Sequence, residues 1–353
     1  MRILALQLKR IGDLILTTPA ISALKRALPD AQITVAAHGA AAALLPAIPD
    51  LSAGVVFDRG RGWTPWQQVL TGPWDAVLDF TGTDRSALAT LMSRCPKRLA
   101  FEWVRKKWIR ALVYNGFVNS AVRTAHTADH YADLLQPLGV RVPGPSEILE
   151  PRLVVPPFAQ TQAAECLQTA GISRTFAVVH PGTARAEKYW KADRWAEVIA
   201  HIRGTLGLDC VVTGGSDPFE QAHLAEIAAL VARDAESGPP PAGKFAVLAG
   251  KVDLLSLAAL AAQARFVVSC DTAMVHFAAA FRTPQVALFG PTNPFHWRPR
   301  HPAAIVLSAA KPDAPLTEFD PRMKGAPMDR LSTRVVIHAT DCVSKTVSAP
   351  PAS

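Results

Sequence analysis

The sequence predicts an α/β protein made of two doubly wound domains, each with a parallel sheet between layers of helices. The chain has 353 residues, which is enough for two domains of about 100 to 200 residues each. Short β-branched or leucine-rich runs alternate with longer helical patterns over most of its length, as is typical of repeated βα units. A proline-rich stretch, residues 143–157, separates two such series.

The first series predicts five strands, at residues 2–8, 33–37, 55–57, 76–80 and 98–101. A helix is predicted between the first two strands, because apolar residues recur there at helical spacing, at Leu14, Ile21, Leu24 and Leu28. Pro19 predicts a start or a kink of that helix. Residues 126–138 predict the helix that closes this half.

The proline-rich stretch can continue neither a helix nor a central strand, so it predicts a domain boundary. The two domains are expected at residues 1–150 and 151–353. The second series predicts strands at residues 176–180, 209–213, 245–248, 266–269 and 285–289. Its helices are predicted at residues 194–205, 217–233, 254–264 and 273–281.

The remaining segments predict less regular structure. Residues 237–243 are rich in proline and glycine and predict a surface loop. Beyond residue 299 the sequence is proline-rich and irregular until residues 328–343, which predict one last helix. The tail, residues 344–353, is expected to be disordered.

Composition indicates a globular chain without a membrane-spanning segment. Hydrophobic residues make up 49% and charged residues 19%, with a mean hydropathy of +0.15. No run approaches the ~18 consecutive apolar residues that a spanning helix needs. Lys9, Arg10 and Asp13 interrupt the apolar start too early for a signal peptide, which favours a buried first strand.

Charge and cysteine content narrow the classes of partner. The five cysteines are widely spaced, without a Cys-x-x-Cys pair or an adjacent histidine pair, which predicts reduced cysteines in the cytoplasm and no metal site. A net charge of +8 favours anionic partners, but no nucleic-acid-binding pattern is present. The basic run at residues 105–110 has two interpretations, a solvated helix face or a contact with acidic lipid head groups.

Five polar segments follow predicted strands, where ligands bind in open α/β sheets. In the first, residues 9–13, Gly12 would permit a tight turn and Asp13 would stand near a helix start; the alternative is a plain helix-capping aspartate. In the second, residues 180–190, Lys188 could neutralise a pyrophosphate and Thr183 could donate to it. Taken alone, His180 could be a core histidine and Lys188 an ordinary surface charge.

The third segment, residues 213–220, places Gly214 and Gly215 where a backbone could approach a ligand, and Glu220 where a carboxylate could accept from ribose hydroxyls. The alternative is a βα turn with an acidic first helical turn. In the fourth, residues 269–276, Asp271 and Thr272 would cap a helix whose N-terminus binds phosphate. The fifth, residues 289–294, would form a wall of the same pocket.

Taken together, the five segments resemble glycosyltransferase family nine, the ADP-heptose:lipopolysaccharide heptosyltransferases, over residues 1 to about 300. The similarity lies in three groups of residues, namely Ile11-Gly12-Asp13 with Thr17-Thr18-Pro19-Ala20, His180-Pro181-Gly182 with Lys188 and Trp190, and Asp271-Thr272 with His276, Pro284 and Phe289-Gly290-Pro291-Thr292. The resemblance implies the GT-B architecture, in which two Rossmann-like domains face each other across a cleft. The N-terminal domain would then bind the acceptor and the C-terminal domain the nucleotide-sugar.

The resemblance also implies an inverting sugar transfer that needs no metal and no cofactor. Asp13 would be the general base, and Lys188 with the helix start at Thr272 would stabilise the leaving nucleotide diphosphate. Glu220 would hold the ribose. Thr183, Asp271 and His276 would complete the nucleotide site. Consistent with a metal-free reaction, the sequence contains no Asp-x-Asp, the carboxylate pair of many metal-dependent sugar transferases.

The implied donor is ADP-heptose, and the implied acceptor is a phosphorylated, lipid-linked sugar at the cytoplasmic face of the inner membrane. The family usually has glycine where this chain has Ala273, and the added methyl group would crowd the phosphate or shift the donor preference. Three alternatives stay open, namely another nucleotide-sugar donor, a nucleotide-sugar epimerase or hydrolase, and a binding protein without activity. Asp13 argues against the last, since a carboxylate there has little use in binding alone.

Overall fold

A computed structural model describes residues 1–142, 147–236 and 240–346 of the chain. The chain divides into two compact units, Met1–Val154 and Val155–Ser353. Residues 143–146 of the expected boundary, residues 237–239 of the expected loop and residues 347–353 of the expected tail lie outside the described residues. Within the described ranges, no helix is long and apolar enough to cross a membrane.

The first unit is built on a parallel sheet of six strands. These are β1 (Arg2–Gln7), β2 (Gln32–His38), β3 (Ala53–Phe57), β4 (Ala76–Asp79), β5 (Lys97–Phe101) and β6 (Gly116–Val118), in the order β3-β2-β1-β4-β5-β6. Its helices are α1 (Ile11–Ala27), α2 (Thr64–Thr71), α3 (Asp84–Met92), α4 (Trp108–Ala111) and α5 (Thr127–Asp133). Short 3₁₀ helices lie at Gly39–Ala47, Arg59–Arg61, Glu102–Lys106 and Gln136–Leu138.

The second unit repeats the same plan. Its strands are β7 (Phe176–His180), β8 (Asp209–Val212), β9 (Phe245–Val247), β10 (Val267–Cys270), β11 (Gln285–Phe289) and β12 (Ala304–Ser308), in the parallel order β12-β11-β10-β7-β8-β9. Its helices are α6 (Pro157–Thr169), α7 (Ala192–Gly204), α8 (Pro218–Glu236), α9 (Leu254–Gln263), α10 (Ala273–Ala280), α11 (Pro294–Trp297) and α12 (Thr333–Lys345). Two 3₁₀ helices lie at Ala186–Lys188 and Met328–Arg330.

Both strand orders are that of the Rossmann fold, so the predicted α/β class is confirmed. In each sheet the order reverses beside the first strand of the unit, between β1 and β4 and between β7 and β10. In open parallel sheets, a crevice forms at the carboxyl ends of the two strands where the order reverses. The residues that follow each pair of strands are therefore the ones that the fold brings to the crevice of their own sheet.

The sequence did not predict two of the strands, β6 and β12. β6 has only three residues, of which two are half-buried, so it carries almost no periodic signal. β12 lies in the stretch beyond residue 299 that was expected to be irregular, and that expectation was wrong. The prolines around β12 are compatible with a strand at the edge of a sheet, where backbone N–H groups are not all needed for pairing.

Prolines shift several helix boundaries. The proline-rich boundary ends in a helix start, because α6 begins at Pro157, and a first-turn proline loses no hydrogen bond. The helix expected at residues 126–138 is divided into α5 and a 3₁₀ turn that contains Pro137. The helix expected at residues 328–343 is likewise divided, since Ser332 caps α12 after the 3₁₀ turn.

Pro19 lies inside α1 and does not start it. A proline within a helix leaves the carbonyl four residues earlier without its N–H donor. Here the side chain of Thr18 replaces that donor, because its Oγ1 donates to the carbonyl of Ile15 at 2.7 Å. The helix therefore continues through the proline with that carbonyl satisfied.

Three buried histidines make stability depend on pH. Burial lowers the pKa of His130, His180 and His301 from 6.5 to about 4 each. Between pH 4 and pH 6.5 the unfolded chain therefore binds more protons than the folded chain. As a result, the free energy of unfolding falls as the pH drops from 6.5 towards 4. Each histidine contributes about 1.4 kcal/mol per pH unit in that window.

We therefore expect the melting temperature to fall steadily between pH 6.5 and pH 4.5. His180→Asn should make this pH dependence shallower, as measured by thermal melting in a series of buffers. His338 is exposed and serves as the matched control, since His338→Asn should leave the slope unchanged. An unchanged slope in the His180 variant would contradict the assignment of a neutral buried imidazole.

Candidate functional site

Asp13 lies in the first turn of α1, which begins four residues after β1 ends. Its side chain is half-buried, while the helix behind it, from Leu14 to Leu24, is buried. The carboxylate is favourable there, because the N-terminus of a helix carries a partial positive charge. Gly12 is already helical, so the expected tight turn before the helix is wrong, and the chain enters the helix at Ile11.

Tyr131 holds the Asp13 carboxylate. Its hydroxyl donates to Oδ1 of Asp13 at 2.5 Å, across 118 residues of sequence. Burial and the nearby Asp13 charge raise the pKa of Tyr131 well above its ordinary value, so the phenol stays protonated and remains a donor. Tyr131 is 1% exposed and packs edge-on against Phe80 at 5.8 Å, which fixes the direction of its hydroxyl.

Two further contacts support Tyr131 and the backbone of Asp13. The ammonium of Lys9 lies 5.5 Å from the centre of the Tyr131 ring. Burial lowers the pKa of Lys9, whereas the charges of Asp13 and Asp79 act in the opposite direction. The side chain of Gln7 donates to the Thr17 hydroxyl at 2.8 Å. The Thr17 hydroxyl in turn donates to the backbone carbonyl of Asp13, also at 2.8 Å.

Asp79, at the end of the neighbouring strand β4, has a structural role. Asp79 ends β4 and is fully buried, where its carboxylate accepts from the amides of Thr81 and Gly82 at 2.8 and 2.9 Å and from the Tyr114 hydroxyl. Burial raises the pKa of Asp79. Since its oxygens are directed into the loop after β4, Asp79 shapes the edge of the crevice, and Asp13 is the half-exposed carboxylate of the two.

In the second unit the structure brings Lys188 and Asp271 together. Lys188 Nζ lies 2.5 Å from Asp271 Oδ2 and 3.3 Å from the Asp271 carbonyl oxygen, 83 residues away in sequence. Their side chains are only 13% and 9% exposed, so the pair is largely removed from water. Lys188 follows β7 and Asp271 follows β10, the two strands at which the sheet order reverses.

The N-terminus of α10 lies beside this pair. Thr272 caps the helix, since its Oγ1 accepts from the amide of Met274 at 3.3 Å. Asp271 was expected to share the capping, and that expectation was wrong, because its carboxylate is turned to Lys188 instead. Ala273 is the first helical residue and is half-buried, so its methyl group stands at the helix start.

Glu220 occupies a cradle formed by three glycines. Its Oε1 accepts from the amide of Gly215 at 2.6 Å. A Cβ atom at Gly182 would lie 1.7 Å from that oxygen, and one at Gly214 would lie 2.6 Å from it, so a side chain at either position would displace the Glu220 carboxylate. Burial raises the pKa of Glu220, while the Gly215 hydrogen bond lowers it.

The other predicted residues of the second unit are buried near the same strand ends. His180 ends β7, and its Nδ1 is 2.9 Å from Thr213 Oγ1. Thr183 follows and is 8% exposed, and its Oγ1 accepts from the Arg185 amide at 3.4 Å. His276 lies within α10 and is 5% exposed. These residues line the end of the sheet with polar atoms.

Trp190 anchors the loop that carries Lys188. Its indole Nε1 donates to the carbonyl of Leu331 at 3.0 Å, and its ring meets Trp195 edge-on at 5.1 Å. Arg194 lies over the ring at 6.0 Å and donates to the same carbonyl. The loop is thus held to the segment that precedes α12.

Trp190→Phe should lower the stability of the second unit by about 2 kcal/mol, because it removes a buried hydrogen bond and leaves a partly filled ring site. Thermal melting should show a decrease of about 4 to 8 °C. The control is Trp63→Phe, since Trp63 is 62% exposed and the change should be small. Equal melting temperatures for the two variants would contradict the anchoring contact.

The fifth polar segment packs within its own unit. Asn293 caps α11 through the amide of Phe295 at 2.9 Å and donates to the carbonyls of Asp320 and Pro321 at 3.0 and 3.1 Å. Gly290 lies against Met328, so close that a Cβ there would be 2.4 Å from its sulfur. This segment therefore fastens the stretch of residues 320–328 to the end of β11.

The predicted site residues thus form two groups, one in each unit. In the first group Asp13 is held by Tyr131, which the sequence did not single out. In the second, Lys188, Asp271 and Thr272 meet at a helix start, and Glu220 lies against Gly182, Gly214 and Gly215. Within the described part of the chain, no cluster of three or more histidine, cysteine, aspartate or glutamate residues could hold a metal ion.

Two Rossmann-like units with polar strand ends define a protein of the GT-B architecture. A family model described as glycosyltransferase family 9 (heptosyltransferase) matches residues 63–325. The chain therefore belongs to glycosyltransferase family 9 and is a glycosyltransferase, as the resemblance of its motifs indicated.

Individual relatives agree with this assignment. The chain is 26% identical over 298 residues to lipopolysaccharide heptosyltransferase 3 of Escherichia coli, covering 82% of this chain and 83% of the relative. In fold it is similar to E. coli ADP-heptose lipopolysaccharide heptosyltransferase II, with a TM-score of 0.78 at 20% identity and 98% of each chain covered. It is also similar to the E. coli heptosyltransferase WaaC with ADP, with a TM-score of 0.75 at 21% identity, covering 97% of this chain and 100% of the other.

Proposed function

We propose that the protein transfers a heptose from ADP-heptose to an acceptor of the lipopolysaccharide inner core or a related surface glycan. The reaction inverts the anomeric carbon and uses no metal ion and no cofactor. Family membership and the curated lipopolysaccharide heptosyltransferases support the transfer of heptose, and the related enzyme solved with ADP supports the donor nucleotide. The observation that carries the proposal is the half-exposed carboxylate of Asp13, held by Tyr131 at the switch point of its sheet.

On the acceptor side, Asp13 acts as the general base. An acceptor hydroxyl oxygen attacks the anomeric carbon of the donor and forms the new glycosidic bond, while its proton passes to Asp13. The bond from the anomeric carbon to the diphosphate oxygen breaks, and the nucleotide leaves as the diphosphate. General-base assistance of this kind accelerates a reaction by about 10² to 10⁴.

On the donor side, Lys188 and the N-terminus of α10 stabilise the negative charge that develops on the leaving diphosphate. The ammonium is a compact charge with three donors, and the free amides at the helix start add a fixed dipole. Together they supply the positive charge that a divalent ion supplies in metal-dependent transferases. Asp271 keeps Lys188 at this position before the donor binds, through the 2.5 Å ion pair.

The remaining residues of the second unit bind the nucleoside part. Glu220 accepts from the ribose hydroxyls, which requires its carboxylate to exchange the Gly215 amide for the ligand or to use its second oxygen. Gly214 and Gly215 let the backbone approach the ligand, and Thr183, Thr272 and His276 contribute polar contacts. Ala273 adds a methyl group at the helix start, which narrows the space for the phosphate.

The acceptor is a lipid-linked sugar that carries phosphate, and the reaction takes place in the cytoplasm at the inner face of the membrane. The chain's net charge of +8 supports an acidic acceptor of this kind. The acceptor sugar would reach Asp13 in the first unit, and the donor would bind in the second. The proposal thus assigns one substrate to each unit.

The test begins with thermal shifts of the purified protein in ADP, UDP, GDP, CDP and TDP, because a ligand that binds only the folded state raises the melting temperature. We expect ADP to give the largest shift. Transfer is then measured with ADP-heptose and heptose-free lipopolysaccharide, by ADP release and by the mass gained by the acceptor, with and without EDTA. Equal rates in EDTA are expected.

The other functions give different results in the same assay. A shift with another nucleotide alone would keep the transferase and change the donor. Turnover of ADP-heptose without an acceptor, at a rate that the acceptor does not increase, would indicate an epimerase or a hydrolase. Binding without turnover would leave a nucleotide-sugar-binding protein.

A further inference from the structure

The segment around α4 is the most unusual surface of the first unit. α4 has the sequence Trp-Ile-Arg-Ala and buries none of its side chains. Trp108 is 73% exposed, Ile109 66% and Leu112 76%. Large apolar side chains that stay exposed to this extent gain little from the hydrophobic effect until another surface covers them.

The exposed apolar side chains continue from α4 onto neighbouring elements. Six of the thirteen exposed large apolar side chains in the described chain lie in this region, namely Leu88, Leu91, Trp103, Trp108, Ile109 and Leu112. The elements that carry these side chains meet at the start of α3. There, Arg110 of α4 forms an ion pair with Asp84 and donates to the carbonyl of Gly82 at 3.0 Å. The Trp103 ring lies against the same glycine.

Leu88 and Leu91 share the face of α3 that begins at Asp84, because residues four and seven positions apart lie on one side of a helix. The six side chains and the basic residues between them therefore form one continuous surface. We call it the basic apolar surface, and it consists of the side chains that α3, the 3₁₀ helix Glu102–Lys106, Lys107 and α4 with Leu112 present to solvent.

The charge of this surface is mainly positive. The basic apolar surface holds five basic residues and two acidic residues, a net charge of +3 out of +8 for the whole chain; the basic residues are Arg85, Arg105, Lys106, Lys107 and Arg110. Both acidic residues are already paired, Glu102 with Arg105 at 3.1 Å and Asp84 with Arg110. Lys106 and Lys107 are exposed and form no salt bridge with any described residue.

From these observations we propose that the basic apolar surface docks on an anionic lipid bilayer, with Trp103, Trp108, Ile109 and Leu112 in the interface and Lys106 and Lys107 on the lipid head groups. Tryptophan is favoured at the membrane interface, and each lysine near an anionic bilayer contributes by attraction to the head groups. The run at residues 105–110 is therefore more than a solvated helix face. This inference does not depend on the proposed sugar transfer.

Two other occupants fit less well. A second copy of the chain would bring two surfaces of net charge +3 together, and their repulsion opposes a dimer at this face. Single-stranded nucleic acid uses aromatic side chains on which bases stack, but four of the six apolar residues here are aliphatic. An acidic lipid bilayer can bury the aliphatic side chains and attract the lysines to its head groups.

The test is flotation of the full chain with vesicles of phosphatidylcholine alone or with about 30% phosphatidylglycerol, a fraction that gives a clear surface charge. We expect binding to the anionic vesicles that is at least about tenfold stronger than to the neutral ones and that weakens in high salt. Lys106→Glu with Lys107→Glu should reduce this binding by at least about twentyfold. Trp108→Ser with Ile109→Ser should reduce it by about tenfold.

The matched control is Phe158→Ser, since Phe158 is a 52% exposed aromatic residue on α6 that lies outside the surface. It should bind vesicles within about twofold of the wild type. Because α4 buries no side chain, the docking variants should keep the wild-type melting temperature, so loss of binding will not reflect unfolding.

Several outcomes would overturn the proposal. One is equal binding of wild type and docking variants to anionic vesicles, or no binding by the wild type. Another is a dimer in sedimentation velocity that the Trp108 and Ile109 changes convert to a monomer. A third is binding to single-stranded RNA, lost in the lysine variant, without binding to vesicles.

Discussion

Asp13→Asn is expected to reduce the turnover number for sugar transfer by at least about 100-fold while leaving the dissociation constant for ADP within about twofold. Asparagine has nearly the same shape and can still accept from Tyr131, but it cannot take the acceptor proton. The residues proposed to bind the nucleotide lie in the other unit. Steady-state kinetics with ADP-heptose and calorimetry with ADP measure the two quantities.

Tyr131→Phe is the matched control for this result. It keeps the carboxylate but removes the 2.5 Å hydrogen bond that holds it. We expect a smaller loss of turnover, about tenfold, because the base is present but less well oriented. A larger loss of turnover in Asp13→Asn than in Tyr131→Phe therefore distinguishes the removal of the base from the loss of its orientation.

Stability is a minor factor in the Asp13 experiment. The side chain is half-exposed in a first helical turn, where a carboxylate contributes about 0.3 to 1 kcal/mol through the helix dipole. The melting temperature should therefore change by only a few degrees. Transfer by Asp13→Asn within a few fold of the wild-type rate would contradict the assignment of the general base.

The fold was largely predictable because parallel sheets are buried on both faces. Strands such as β7 and β11 are fully buried and appear in the sequence as continuous apolar runs, so their positions could be predicted almost to the residue. β6 and β12 lie at sheet edges, where shorter or half-buried strands have no such run. Periodicity therefore predicts the centre of a sheet better than its edges.

The candidate site was predictable only where it depends on strand ends. Asp13, Lys188 and Asp271 could each be placed after a strand by sequence alone. Their partners could not, because the hydrogen bond from Tyr131 joins residues 118 positions apart and the Lys188 ion pair joins residues 83 positions apart. No local pattern reports such contacts.

Asp271 illustrates the difference. Next to Thr272 and before an apolar helix, an aspartate has the pattern of a helix cap, and the sequence therefore predicted one. The structure shows that the ammonium of Lys188 attracts the carboxylate instead, because a largely buried pair of charges is stabilised more than a single hydrogen bond to an amide. The tertiary contact determined the role of the side chain.

Lys188→Met is expected to weaken ADP binding by about 10- to 100-fold and to reduce turnover as well, because a charged donor to phosphate is worth about 1.5 to 3 kcal/mol. Methionine keeps the length of the side chain and removes the charge. The substitution also leaves the Asp271 carboxylate, 9% exposed, without its counter-ion. Such a loss destabilises a fold by about 3 kcal/mol, so the single variant mixes two effects.

The double variant Lys188→Met with Asp271→Asn separates them. Removing both charges should restore the melting temperature, because no uncompensated carboxylate remains. The affinity for ADP should stay low if Lys188 contacts the diphosphate, and calorimetry will measure it against the two single variants. If the double variant recovered wild-type affinity, Lys188 would act only by neutralising Asp271. The proposed stabilisation of the leaving group would then have to come from the N-terminus of α10 alone.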